Sequence, residues 1–346
     1  MTPHFRKVRP WRNLITGLST STALLLALSA PANDIRANDT GANDISAPPA
    51  PLYNPSAPIQ SVPAHVADHA QKFDGLCAPV TGPGPSHYAN RRVHALNTLM
   101  EKTPLGRHAW EQAAGYEKGP AWICFTPSSD MYAFYYTGAG VLVLNSDLPE
   151  AEHIAAIPHE LRHLEQERRG FTADALGMTD TEARLHLQLA KEADAEAFAT
   201  LTLWEQKQAG YPAGWDAHNN TAMCPETMNN CYAMISKTFE AVATADPNAI
   251  TDGTAARAAF REWYADLELM DRYERHHYGY MGRGRHFSPR GSLSSHSVPT
   301  DDFAKAVTGL GFIAPYGFDY LGGDVAKILK QPAHSTKIYY RDDPSP

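Results

Sequence analysis

The clearest periodic stretch of the chain lies between residues 179 and 210. Leu185, Leu189, Glu192, Glu196, Ala199 and Leu203 recur at alternating spacings of four and three, which traces one face of a helix. A second stripe of Leu187, Ala190, Ala197 and Leu201 makes the segment apolar over much of its surface, so it is expected deep in the core. Thr179-Asp180-Thr181-Glu182 has the T-x-x-E form of a capping box and marks its start. The two middle positions of the first face are carboxylates. A carboxylate on an inward stripe is costly unless it is paired or bound to a metal.

Helical spacing also marks 65–76, 89–115 (with Leu96, Leu99, Met100 and Leu105), 231–245 and 254–274, where Phe260, Trp263, Leu267 and Met270 form a core face. Short helices are expected at 301–310 and 323–330. Residues 121–125 read as a strand, and 131–136 with 141–145 as a hairpin around Thr137-Gly138-Ala139-Gly140. The fold class is therefore α+β and mainly helical, with a small sheet ahead of the segment near residue 159. With no internal repeat and no second linker, 66–346 reads as a single domain.

The N-terminal 65 residues read differently. Arg6, Lys7, Arg9 and Arg12 precede a thinned apolar stretch over 14–28 and the cleavage pattern Ala30-Pro31-Ala32, so 1–32 is expected to be a secretory signal peptide. It is short for a membrane span, which needs about 20 apolar residues. No stable span is expected after cleavage, and the protein is expected to be exported to the periplasm or the medium. Residues 33–65 repeat Ala-Asn-Asp three times and then carry six prolines with no apolar period, the composition of a disordered linker, either a tether or a pro-segment.

The chemistry sits at 159–163, which reads H-E-x-x-H. On a helix, His159 and His163 lie on one face, so their imidazoles can converge on one Zn²⁺ at about 2.0–2.1 Å. Glu160, about 100° round the helix, can lean over the open position and serve as general base. Pro158 either begins this helix as its first residue or bends one that starts near residue 148. A third ligand three or six residues after His163 is ruled out, because those positions are Gln166 and Arg169. Glu192, 29 residues after His163, fits the third place, with Glu196 one turn on to accept the N–H of a ligand histidine. Asp194 points about 200° away from Glu192. The alternative for the two glutamates is a salt-bridged face with Lys191 and Lys207.

His159-Glu160-x-x-His163 followed by Glu192-x-x-x-Glu196 resembles the gluzincin class of zinc metallopeptidases. The segment Glu192-Ala193-Asp194-Ala195-Glu196-Ala197 is similar to a bacterial family of uncharacterised metallopeptidases of that kind. The resemblance covers about residues 120–205. It implies a zincin-like domain, one zinc ion held by His159, His163 and Glu192, Glu160 as catalytic base, and a peptide or protein substrate. It also implies an edge strand lining the cleft, a role that 141–145 would fill. Glu196 departs from the aspartate usual at its position, and Pro158 is a second departure.

Cys77, Cys124, Cys224 and Cys231 are an even set behind a signal peptide, which fits disulfides. Of three possible pairings, Cys224 with Cys231 closes a small loop and leaves Cys77 with Cys124. A basic, aromatic run from Arg272 to Arg290 reads as a polar loop or as the source of an oxyanion-stabilising His or Tyr; the net charge of −8 argues against a nucleic-acid partner. Oligomeric state has no signal in the sequence. The reading is a zinc peptidase; its alternative is a non-catalytic envelope protein that keeps the fold as a binding module.

Overall fold

The computed structural model describes residues 51–71, 76–127, 132–178, 181–220, 231–266, 269–270, 272–273 and 301–322. Residues 1–50, Cys224, the helix expected at 323–330 and most of the basic run lie outside them. In order come α1 (Ala64–Gln71), β1 (Leu76–Pro79), α2 (His87–Met100), α3 (Pro104–Ala114), β2 (Trp122–Thr126), β3 (Ala133–Tyr136) and β4 (Val141–Asn145). Then follow α4 (Glu150–Arg168), α5 (Thr181–Gln208), α6 (Ala213–His218), α7 (Cys231–Ala245), α8 (Thr254–Ala265), α9 (Asp301–Ala306), β5 (Phe312–Ile313) and β6 (Phe318–Asp319). The fold is α+β and mainly helical, as the periodicity predicts. No helix among the described residues is long and apolar enough to cross a membrane.

The helical stretch expected over 89–115 is two helices, α2 and α3. Thr103 takes an extended conformation and its hydroxyl accepts from the Gly106 amide, while Pro104 occupies the first turn, where its missing N–H costs nothing. The helix carrying H-E-x-x-H starts at Glu150 and runs through Pro158, which settles between the two alternatives left open by the sequence.

The four strands β1 to β4 lie in the order β1-β2-β4-β3, with β2 and β4 parallel and the outer pairs antiparallel. The hairpin at 137–140 is present. Gly140 has φ of 62°, and a Cβ there would sit 2.4 Å from the Tyr116 ring. The edge role expected of 141–145 does not hold: β4 is interior, buried at all five positions, and the edge beside it is β3. Cys77 and Cys124 are opposite one another on β1 and β2 and form a disulfide. The Cys224–Cys231 pairing lies outside the described side chains.

The linker reading of 33–65 is corrected for its last part. The Tyr53 ring is buried and stacks on His94 at 5.0 Å between centroids, and the Leu52 amide donates to Glu101 at 2.6 Å. Tyr53 and the two β-like hydrogen bonds of Asn54 and Gln60 to the 81–83 segment hold this strap on the body, so the prolines here shape an ordered path.

α5 sits at the centre, buried almost all round between residues 185 and 203, with α4, α6 and α8 packed on it. α6 approaches so closely that a Cβ at Gly214 would meet Ile154 of α4 at 2.5 Å and Leu203 of α5 at 2.8 Å. Arg162 of α4 is fully buried. It forks onto Asp194 of α5 at 2.8 and 3.1 Å, and its third nitrogen reaches Glu165 at 2.7 Å. This buried pair, with the apolar faces around it, fixes the register of α4 on α5.

The disulfide closes a loop with a sequence separation of 47. In the chain-entropy picture it stabilises the fold by about 4 kcal/mol. Urea unfolding of the wild type against Cys77→Ala/Cys124→Ala should differ by about that amount; coincident curves would mean that the sheet is held without it.

Candidate metal centre

His159 and His163 lie one turn apart on α4 and face Glu192 on α5. Their Nε2 atoms are 3.1 Å apart, and Glu192 Oε2 lies 3.3 Å from the first and 3.5 Å from the second. The rings are nearly perpendicular, at 81°. The three donor atoms thus make a nearly equilateral triangle.

Which nitrogens carry hydrogen follows from their partners. Gln166 Nε2 lies 2.9 Å from the Lys191 carbonyl and 2.8 Å from Asp194 Oδ2, two groups that can only accept, so this end of the amide is the NH₂. Its Oε1 therefore faces His163 Nδ1 at 2.9 Å, and that nitrogen is the donor. His159 Nδ1 faces a carboxylate oxygen of Glu196 at 3.2 Å and donates likewise. With those tautomers, two imidazole lone pairs and a carboxylate oxygen converge on one spot, a donor set that could hold a metal ion.

The electrostatics agree. Burial disfavours an imidazolium at His159, but hydrogen bonds to Glu192 and Glu196 and the charge of Glu160 push its pKa well above the ordinary histidine value. A proton on His159 Nε2 or a metal ion could each answer that demand. A tetrahedral ion at about 2.05 Å from each donor would space the donors about 3.3 Å apart. The observed edges, 3.1, 3.3 and 3.5 Å, bracket that value. His159, His163 and Glu192 form the one group of this kind found among the described residues.

Glu160 is buried beside this group, 6 % exposed. Burial raises its pKa, the two histidines pull it back, and Glu192 raises it further. Glu196 behaves in the opposite way. Burial alone would raise it, but His218 and the hydrogen bonds from His159 and His218 hold it down to about 2, so it is a carboxylate. Its second oxygen accepts from His218 Nε2 at 2.5 Å, and His218 Nδ1 shares a hydrogen bond with the Ser236 hydroxyl at 2.8 Å. Tyr232 and Tyr273, with hydroxyls 3.0 Å apart, flank the glutamates; burial first and then the charges of Glu196 and Glu192 raise their pKa values.

The structure brings together every residue that the sequence assigns to the site: His159, Glu160, His163, Glu192 and Glu196. Of the lysines in the alternative reading, Lys207 pairs with Glu240 at 2.7 Å, and burial lowers the pKa of Lys191 while the charges of Glu192 and Glu167 raise it. Sequence reasoning missed His218, Ser236 and Gln166. His218 is a lone histidine on a six-residue helix, with no spacing to connect it to Glu196. Of the basic run, Arg272 and Tyr273 are described, and Tyr273 is the aromatic residue near the glutamates.

No curated protein and no solved structure matches the chain. A family model matches residues 67–318, a span that takes in the sheet, the α4–α5 pair, His218 and the C-terminal β5–β6 hairpin. That model is described as the Putative metallopeptidase family (DUF6782), and the chain belongs to this family.

Proposed function

We propose that this chain is a zinc-dependent peptidase in which His159, His163 and Glu192 hold one Zn²⁺ and Glu160 is the general base. The observation that carries this reading is the triangle of converging lone pairs, whose edges of 3.1 to 3.5 Å suit a tetrahedral ion. Bound there, zinc would polarise the scissile carbonyl and lower the pKa of water towards ~7.

The chain's own residues do the rest. A donor set of three protein ligands leaves one tetrahedral position for water or substrate, the pattern of catalytic sites; a structural site is closed by a fourth. Glu160 is the carboxylate next to the ligand set that is free of the metal and can act as proton acceptor. It takes the proton at a carboxylate oxygen and returns it to the nitrogen of the departing amine. Glu196 holds the Nδ1 hydrogen of His159, and His218 and Ser236 hold Glu196. A buried Glu160 that feels the charges of His159, His163 and Glu192 has no use in the non-catalytic alternative, which is therefore the weaker reading. We place the activity outside the cytoplasm, after export by residues 1–32; the Cys77–Cys124 bond supports an oxidising compartment.

Glu160→Gln should keep about one zinc per chain and lose hydrolysis of a peptide library by roughly 10²–10⁴-fold. A variant that cleaves as well as wild type would overturn the mechanism. His159→Ala and Glu192→Ala should each lower bound zinc, measured by elemental analysis after reconstitution; unchanged stoichiometry in both would remove the ligand assignment.

A further inference from the structure

His163 is supported differently from His159. Its Nδ1–H donates to a carboxamide, Gln166, where His159 has a carboxylate. A carboxamide is ambiguous as a partner: turned over, Gln166 would present its NH₂ to His163 and require the other tautomer, moving the lone pair away from the triangle. What prevents this is a pair of acceptors on Gln166 Nε2, the Lys191 carbonyl at 2.9 Å and Asp194. Asp194 Oδ2 accepts from Gln166 Nε2 at 2.8 Å and from Arg162 Nε at 2.8 Å; its Oδ1 accepts from Arg162 Nη2 at 3.1 Å and from the Tyr320 hydroxyl at 2.6 Å. Arg162, Gln166, Asp194 and Tyr320 are each fully buried.

Tyr320 belongs to the C-terminal segment, which docks on the back of α4. Arg162 Nη2 also donates to the carbonyls of Leu310, at 2.7 Å, and Phe312, at 3.1 Å. Arg169 donates to the Gly309 carbonyl beside them. An unbroken run of hydrogen bonds therefore leads from residues 309–320 through Asp194 and Gln166 to a nitrogen of His163.

We propose that Asp194, held by Arg162 and Tyr320, acts through Gln166 as a positioning residue that sets which nitrogen of His163 faces the metal, so that metal affinity is coupled to the docking of residues 309–320. This inference rests on the metal reading above. By linkage, the coupling is reciprocal: metal binding tightens the docking as much as docking tightens the metal. The two ligand histidines then answer to different parts of the chain, His159 to α6 and α7 through Glu196, and His163 to the C-terminal segment.

The test is the affinity of the full chain for Zn²⁺, measured by competition with a chromogenic chelator, together with the visible spectrum of the Co²⁺ form. Gln166→Met keeps the volume and removes the bonds; it should weaken zinc by about 10–100-fold. Tyr320→Phe removes one hydroxyl from a residue that otherwise stays packed, and should weaken zinc by about 3–10-fold and change the Co²⁺ spectrum. Tyr316→Phe is the control. It removes a hydroxyl from the same segment, but that hydroxyl donates to Glu205, off the route to His163. It should bind zinc as wild type does. If Gln166→Met fails to fold, Tyr320→Phe against Tyr316→Phe decides. Equal affinities and equal Co²⁺ spectra for these two would overturn the coupling while leaving the metal reading intact. Failure of the wild-type chain to bind zinc would overturn both.

Discussion

Carboxylates buried between two helices govern this fold. α5 carries Glu192, Asp194 and Glu196 into the core at 8 %, 0 % and 3 % exposure, and α4 adds Glu160 and Glu165. Charges at such positions are tolerated only when compensated. The helix pair solves this in two ways within a few residues. Around Asp194 and Glu165 the cation is covalent, the guanidinium of Arg162, and it holds the Glu165 carboxyl at about 2 against the upward push of burial. Around Glu192 and Glu160 the partners are the imidazoles of His159 and His163. One half of the interface therefore carries a fixed guanidinium, and the other a pair of histidines. Arg162 helps hold the register of α4 on α5, so that His159, His163 and Glu192 face one another.

The sheet contributes by holding the N-terminal half of α4. His153 Nε2 bonds the Asn145 carbonyl at the end of β4 at 2.7 Å. Glu167 near the other end accepts from the Tyr135 and Tyr116 hydroxyls, each at 2.9 Å, and from the Gly138 amide at 2.7 Å. The hairpin thus grips α4 at both ends, while its middle faces α5. The glycine that lets the turn pass over Tyr116 and the tyrosines that reach Glu167 have the same consequence: the strand pair is fastened to α4.

Much of the site is written in local spacing. Histidines four positions apart and a carboxylate stripe on an apolar helix need only helical periodicity to place them, and the structure assembles all five residues. What the sequence hides is written in tertiary contact. His218 and Ser236 reach Glu196 from separate helices, and nothing local marks either. Gln166 was excluded as a ligand by residue type, yet its position one turn beyond His163 puts it against the imidazole's other nitrogen. The strand order was more legible than the edge expectation for 141–145 allowed: Val141-Leu142-Val143-Leu144 is an unbroken apolar run, which suits a strand covered on both faces, whereas β3 carries half-exposed aromatics suited to an edge. The strap at 51–63 was lost in its prolines, because one buried ring, Tyr53, has no period.

Pro158 shows how tertiary packing overrides a local rule next to the chemistry. It stands directly before His159 and removes the hydrogen bond that would run to the carbonyl of Ile154, a cost of about 3 kcal/mol in an isolated helix. The helix nonetheless continues, because both flanks are clamped. Ile154 is pressed by Gly214 of α6, and Ile157, Leu161 and Leu164 are buried in the core, each worth about 1.5–3 kcal/mol on full burial. These contacts outweigh the missing bond. They also mean that the orientation of the H-E-x-x-H turn is set by α5, α6 and the sheet more than by the helix's own ladder. That dependence places the ligand geometry under the control of residues far from it in sequence, of which the Asp194–Tyr320 contact, spanning 126 positions, is the longest bond of Asp194.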